Sequence, residues 1–133
     1  VADIRRALLK VCGVRKEDGW EAVLVQGSGT FGVEATLGTA VRRGGKLLVA
    51  TDGAYGERMV SIAKNCGIEV VRLGFDEDQP VDAGQIAAVV RRDPSIDAVA
   101  VVHCETTTGL MNDIEAVGQA EAHRPHPAHL AGS

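Results

Sequence analysis

The stretch VLVQGSGTFGVEATLG, Val23 to Gly38, decides how this chain is read. A short apolar run enters GSGTFG, and a helix-like pattern follows. A strand that turns through glycines into a helix is the building unit of a parallel α/β sheet. The first N–H groups of a helix have no partner within it, and the helix dipole favours an anion there. Gly27, Gly29 and Gly32 complete a G-x-G-x-x-G spacing, which suits a dinucleotide pyrophosphate. Ser28 and Thr30 add two hydroxyls, which suit a cup for a single phosphate. A Walker A loop is excluded, because Val33 and Glu34 stand where Lys and Ser or Thr are required. A nucleophile elbow is excluded by Gln26 and Thr30 at its glycine positions.

Working outward, the same alternation continues. Asp3 to Lys16 reads as an amphipathic helix with Ile4, Leu8 and Val11 on one face. Glu21 to Gln26 is expected to be a short strand, and Thr30 to Val41 a helix ended by Gly44 and Gly45. Lys46 to Ala50 reads as a strand, Tyr55 to Asn65 as a helix stopped by Gly67, and Ile68 to Leu73 as a strand. Ala83 to Arg92 is a helix closed by Pro94, Ala98 to His103 a fourth strand, and Asn112 to Ala122 a last helix. Continuous apolar strands between helices imply a parallel sheet covered on both faces.

Composition agrees. The chain has 133 residues, 45% of them apolar, with 3% aromatics and 16 Gly, so a core of Val, Ile, Leu and Ala is expected. A net charge of -4 with no basic stripe argues against nucleic acid. No stretch approaches a membrane span, and Val1 to Cys12 is too charged for a signal peptide. Cys12, Cys66 and Cys104 are odd in number and widely spaced, which points to reduced thiols in a cytoplasmic protein.

In parallel sheets, ligands bind where strands end and helices begin. Three polar loops fall on that edge: QGSGTF, TDGAYG and HCETTTG. Any one alone is explained by tight turns and helix caps; three on one edge point to a site. Asp52 in the second loop stands near where a dinucleotide fold keeps its ribose-binding carboxylate. That keeps open a Rossmann-type module using Gly27, Gly29, Gly32 and Asp52, although it leaves HCETTTG idle.

Taken together, QGSGTFGVEATLGT, DGAYGERM and AVVHCETTTGLMNDIEAVG resemble the N-terminal half of the large domain of class V aminotransferases. These are fold-type-I enzymes that depend on pyridoxal 5'-phosphate (PLP). Within the class the likeness is greatest to transaminases that take an aminophosphonate as donor and pyruvate as acceptor. The resemblance runs from about Glu21 to Gly118. It implies a three-layer α/β fold with a mainly parallel sheet, a PLP cofactor, a small-molecule substrate and a homodimer. Ser28, Gly29 and Thr30 would cradle the cofactor phosphate. Tyr55 would lie on the pyridine ring, a use that suits a flat and rotationally restricted side chain. Thr106 would lie near the cofactor's 3′ oxygen, whereas Glu105 and Thr107 receive no contact. Asp52 then becomes a loop residue capping the following turn.

The resemblance also implies a lysine that bonds the cofactor aldehyde and an aspartate that keeps the pyridine nitrogen protonated. Neither has a counterpart here. The lysines are Lys10, Lys16, Lys46 and Lys64, and none falls on the carboxyl edge of the sheet. Leu130 stands near the aspartate position, so no catalytic residue is assigned. Residues 1–118 are accordingly expected to form a partial large domain, prone to association through uncovered sheet edges. Residues 119–133, broken by Pro125 and Pro127, are expected to be a divergent, disordered tail. The prolines also separate His123, His126 and His129, which argues against a metal site there. His103, Cys104 and Glu105 adjoin on an extended segment, so their side chains alternate and cannot converge on one ion. Cys104 is expected to pack beneath its loop.

Overall fold

The computed structural model describes residues 1–122. The chain divides into two units, one of residues 1–32 and one beginning at Val33. His123, His126 and His129, Pro125 and Pro127, and most of the expected tail lie outside the described residues.

In the first unit, helix α1 spans Ala2–Val11. It stops five residues before the expected end because Gly13 adopts φ 68 and turns the chain. The Gly13 and Val14 N–H groups then bond the Lys10 and Leu9 carbonyls, closing the helix end. A single 3-10 turn, Lys16–Asp18, follows. The expected apolar face is not buried: Ile4, Leu8 and Val11 are exposed, and Leu9 is the residue of α1 that packs inward.

Glu21 to Gln26 is not a strand. A strand is held by ladder bonds to a neighbour. Among the described residues this segment makes none, so Val23, Leu24 and Val25 stay 43–75% exposed. Helix α2, Gly29–Ala40, begins in the glycine loop as expected.

The second unit holds the sheet. Strands β1 (Lys46–Thr51), β2 (Glu69–Gly74) and β3 (Ile96–Val101) pair in parallel in the order β2-β1-β3. Helix α3, Ala54–Asn65, links β1 to β2, and α4, Ala83–Arg92, links β2 to β3. The side chains of β1 alternate between two cores, as a pleated strand requires. Leu47 and Val49 pack with Leu37, Val41, Val60 and Ala63 from α2 and α3 and the turn after α2. Leu48 and Ala50 pack with Ile86, Val90 and Val117 from α4 and α5 (Ile114–Ala122). The result is a three-layer α/β arrangement with β1 at its centre.

Two short strands that periodicity missed, β4 (Cys104–Glu105) and β5 (Leu110–Met111), form an antiparallel hairpin after β3. Its turn closes at Gly109, whose φ of 79 favours glycine. The fourth expected strand is shifted two residues earlier, to Ile96–Val101, because the hairpin takes over from His103 onward.

An ion-pair cluster ties α3 to the sheet. Glu57 Oε1 accepts from Arg72 Nε at 2.8 Å and from the Thr51 hydroxyl at 2.8 Å. The Arg72 guanidinium, with help from Thr51, holds the Glu57 carboxyl below the ordinary carboxylate range against the opposing effect of desolvation. A carboxyl depressed in the folded state stabilises it above the unfolded pKa and loses that contribution as pH falls through the folded value. Asp82 and Asp93 are depressed as well, by hydrogen bonds from Gln85 and Ser95 respectively. Stability in urea is therefore expected to be flat near neutral pH and to drop below about pH 4.5. Glu57→Gln should show a smaller drop than the wild type; an identical acid limb in the two would contradict the assignment.

Candidate functional site

The strand order reverses between β1 and β3, since the chain leaves β1 toward β2 on one side and returns on the other. Such a switch opens a crevice outside the carboxyl ends of the two strands. The loop after β1 carries Asp52 and Gly53 and leads into the first turn of α3 with Tyr55. The segment after β3 carries His103, the hairpin and Thr106. The structure therefore brings TDGAYG and HCETTTG to one edge, as expected.

Two buried polar groups fix these loops to each other. Glu105 is fully buried, and its Oε2 accepts the backbone N–H of Tyr55 at 3.1 Å. Its Oε1 accepts the Thr107 hydroxyl at 2.8 Å. Gly53, at the N-cap of α3, offers no capping side chain; a carboxyl from fifty residues away caps the helix instead. A Cβ on Gly53 would stand 2.5 Å from Glu105 Cγ, while its φ of 172 is ordinary extended backbone. Glycine is thus required there for space and not for conformation.

Asn112 is the second tie. It is 3% exposed, and its Nδ2 donates to Asp52 Oδ2 at 2.6 Å and to the Val102 carbonyl at 2.8 Å. Its Oδ1 accepts the Val81 N–H at 2.8 Å. One amide thereby joins the loop after β1, the end of β3 and the approach to α4.

Asp52 itself is fully buried, with Oδ1 lacking a partner among the described residues. It neither caps the following turn nor reaches a surface where a ribose could meet it. A ribose-binding role for Asp52, and with it the dinucleotide module, is therefore not supported.

Tyr55 is 46% exposed on the first turn of α3. The Arg58 guanidinium lies 5.5 Å from its ring centroid, over one face. Thr106 is exposed at the start of the hairpin turn, and among the described residues no hydrogen bond occupies its hydroxyl. Glu105 links the two: it precedes Thr106 in the chain and holds Tyr55 through its carboxyl. Cys104 is exposed, contrary to expectation. On a strand neighbouring side chains alternate, so the inward turn of Glu105 sends Cys104 outward.

Ser28, Gly29 and Thr30 belong to the first unit. Ser28 Oγ accepts the Phe31 N–H at a long 3.3 Å, and the Gly32 N–H bonds the Ser28 carbonyl. Among the described residues the N–H groups of Gly29 and Thr30 and the Thr30 hydroxyl have no acceptor. A cavity of about 870 Å³ in the same unit is lined by α1 and the 3-10 turn, with Arg5 and Lys10 on its wall, and by none of these three. Of the lysines, Lys46 is held by Asp93 at 2.9 Å and Glu69 at 3.1 Å at the opposite end of β1. Lys64 sits in the last turn of α3, and Lys16 pairs with Glu21 at 2.9 Å.

Sequence reasoning missed Glu105, Gly53, Asn112 and Arg58. Glu105 left a signal, an acidic residue two positions past an apolar strand, but its direction depended on a hairpin that periodicity does not show. Asn112 left none.

A parallel sheet with two polar loops pinned at its switch point defines an α/β protein of the three-layer class. The family is given by likeness over almost the whole chain. The Aminotransferase class-V family matches residues 3–130, and the chain belongs to that family. It is 47% identical over 120 residues to a 2-aminoethylphosphonate–pyruvate transaminase of Syntrophobacter fumaroxidans, covering 90% of this chain and 32% of that protein. It is 42% identical over 114 residues to the transaminase of the same name from Bacillus cereus, covering 86% and 31%. Among solved structures it resembles an aspartate aminotransferase of subgroup IV from Thermus thermophilus. That match has a TM-score of 0.70 at 28% identity and covers 78% of this chain and 28% of that one. The chain thus spans about a third of the length of the curated relatives it matches.

Removing the Asn112 amide would leave Asp52 and the Val81 N–H buried without partners. Asn112→Ala is expected to cost about 2–4 kcal/mol of stability, read from urea unfolding. A loss below about 0.5 kcal/mol, the range of an ordinary surface substitution, would show that the amide is not a structural tie.

Proposed function

We propose that this chain supplies the phosphate-holding and ring-covering residues of a PLP-dependent aminotransferase that moves the amino group of 2-aminoethylphosphonate to pyruvate. The observation that carries the reading is the start of α2. Among the described residues, two unpaired N–H groups and a hydroxyl without an acceptor stand there together, and they suit a compact dianion. Ser28, Gly29 and Thr30 would hold the phosphate. Tyr55, with Arg58 over one face of its ring, would lie on the pyridine, and Thr106, whose hydroxyl has no partner among the described residues, would serve the 3′ oxygen. The names of the relatives point the same way.

When bound, PLP supplies the electron sink on which amino transfer depends. The contribution of the residues present is binding and orientation. Tyr55 would shield one side of the ring from water, and the hydroxyls of Ser28 and Thr30 would fix the phosphate end. Moving a proton at the reacting carbon is a task for a general base, and the lysines offer none. Lys46 is locked in ion pairs at the far end of β1, and Lys64 lies nine residues beyond Tyr55, in the last turn of α3. The chain assayed alone is therefore expected to form no alanine from 2-aminoethylphosphonate and pyruvate. Alanine formed by the purified chain above a no-protein control would overturn that statement.

The loop is expected to hold a phosphate monoester and not a pyrophosphate. Ser28 and Thr30 place hydroxyl donors where a pyrophosphate is ordinarily met by bare glycine backbone. A charge-assisted hydrogen bond is worth about 1.5–3 kcal/mol, so Thr30→Ala should weaken PLP and inorganic phosphate alike by roughly tenfold or more. Titration by absorbance and by calorimetry would measure this. Equal affinity in wild type and variant, or tighter binding of NADH than of PLP, would reduce the loop to a plain helix cap.

A further inference from the structure

We infer that Glu105 is a positioning residue for the Tyr55 ring, acting from the hairpin through the first turn of α3. Its carboxyl group is fully buried, and a buried carboxyl is tolerated only where hydrogen bonds answer it. Here they come from the Tyr55 N–H at 3.1 Å and the Thr107 hydroxyl at 2.8 Å. The bonded N–H belongs to the very residue that carries the ring. A helix capped by its own N-cap side chain carries Ser, Thr, Asp or Asn there. This one has Gly53 there, and the space its missing Cβ leaves is filled by the Glu105 side chain.

The anchor is itself anchored. The Thr108 and Gly109 N–H groups bond the Glu105 carbonyl at 3.2 and 2.8 Å, and the Asn112 N–H bonds the His103 carbonyl at 2.7 Å. The backbone of Tyr55 is thus held from a hydrogen-bonded hairpin, while Arg58 lies over one face of its ring. Fixing both leaves the opposite face in a defined place. What that face receives rests on the cofactor reading above; the geometry of the anchor does not.

The chain contains a single tyrosine, so incorporation of 3-fluorotyrosine places one fluorine resonance on Tyr55 alone. In the full chain, wild type and Glu105→Gln are expected to give the same single narrow line, displaced from that of free fluorotyrosine. Gln retains an oxygen for the Tyr55 N–H and an amide that Thr107 can accept. Glu105→Ala should move the line toward the free value. Gly53→Ala should do the same by pushing the intact carboxyl away, and it decides the matter if Glu105→Ala does not fold. Addition of PLP should shift the wild-type line. In Glu105→Ala the affinity for PLP should fall roughly threefold to tenfold, the worth of one hydrogen bond, with inorganic phosphate binding unchanged. An unmoved line in both Glu105→Ala and Gly53→Ala, with far-ultraviolet circular dichroism intact, would overturn the inference. A wild-type line indifferent to PLP, beside variants whose lines do move, would leave the positioning in place and overturn the cofactor reading instead.

Discussion

Strand β1 is the constraint on which the second unit depends. It is hydrogen-bonded on both edges, and Leu47, Leu48, Val49 and Ala50 are each at most 1% exposed. Burying an aliphatic side chain contributes about 1.5–3 kcal/mol, so every second residue of β1 secures one helix layer and the residues between secure the other. A strand buried on both faces cannot slip by one residue without exchanging its two cores. Where β1 ends is therefore fixed as well, and the polar residues after Thr51 emerge at one defined place. The chemistry of the edge inherits its precision from the core beneath it.

That edge is then tightened by polar side chains. Asn112 and Glu105 both reach the loop after β1 from the far side of β3, one at Asp52 and one at Tyr55. Each saturates its side-chain groups on backbone or loop partners, which is what permits their burial. They divide the labour. Asn112 holds the loop down at its root, and Glu105 sets the helix that leaves it. Gly53 lies between the two, and a side chain there would collide with the second. Three residue types that look unrelated in the chain are thus parts of one fastening.

How much of this could be read beforehand follows from the range of each interaction. The helices Ala54–Asn65 and Ala83–Arg92 and the strands around them were legible because their periodicity is local and their burial follows from it. Tyr55 and Thr106 were legible as residues of polar loops on one edge. Glu21 to Gln26 misled because an apolar run signals a strand only when a neighbour pairs with it, and that is not a local property. Ile4, Leu8 and Val11 misled for a related reason: an amphipathic stripe says which face seeks cover and not that cover is supplied. Asp52 misled because its spacing matched a ribose-binding pattern, while Asn112, sixty residues on, had already claimed it.

At the GSGT loop, capping a helix and offering a donor to an anion need not compete. Ser28 Oγ accepts the Phe31 N–H and so serves as an ordinary cap. A hydroxyl has two lone pairs and one proton, and capping uses a lone pair. The proton stays available to an anion placed over the helix start, where the Gly29 and Thr30 N–H groups are also unspent among the described residues. Asp at this position would cap as well, since Asp and Ser rank together at N-caps. It would, however, set a negative charge against any phosphate and have no proton to give. Serine is a residue that can close the helix and still donate from the same atom. The cap at Ser28 is thus part of what would make the helix start an anion site, because it holds the hydroxyl still at the moment of binding.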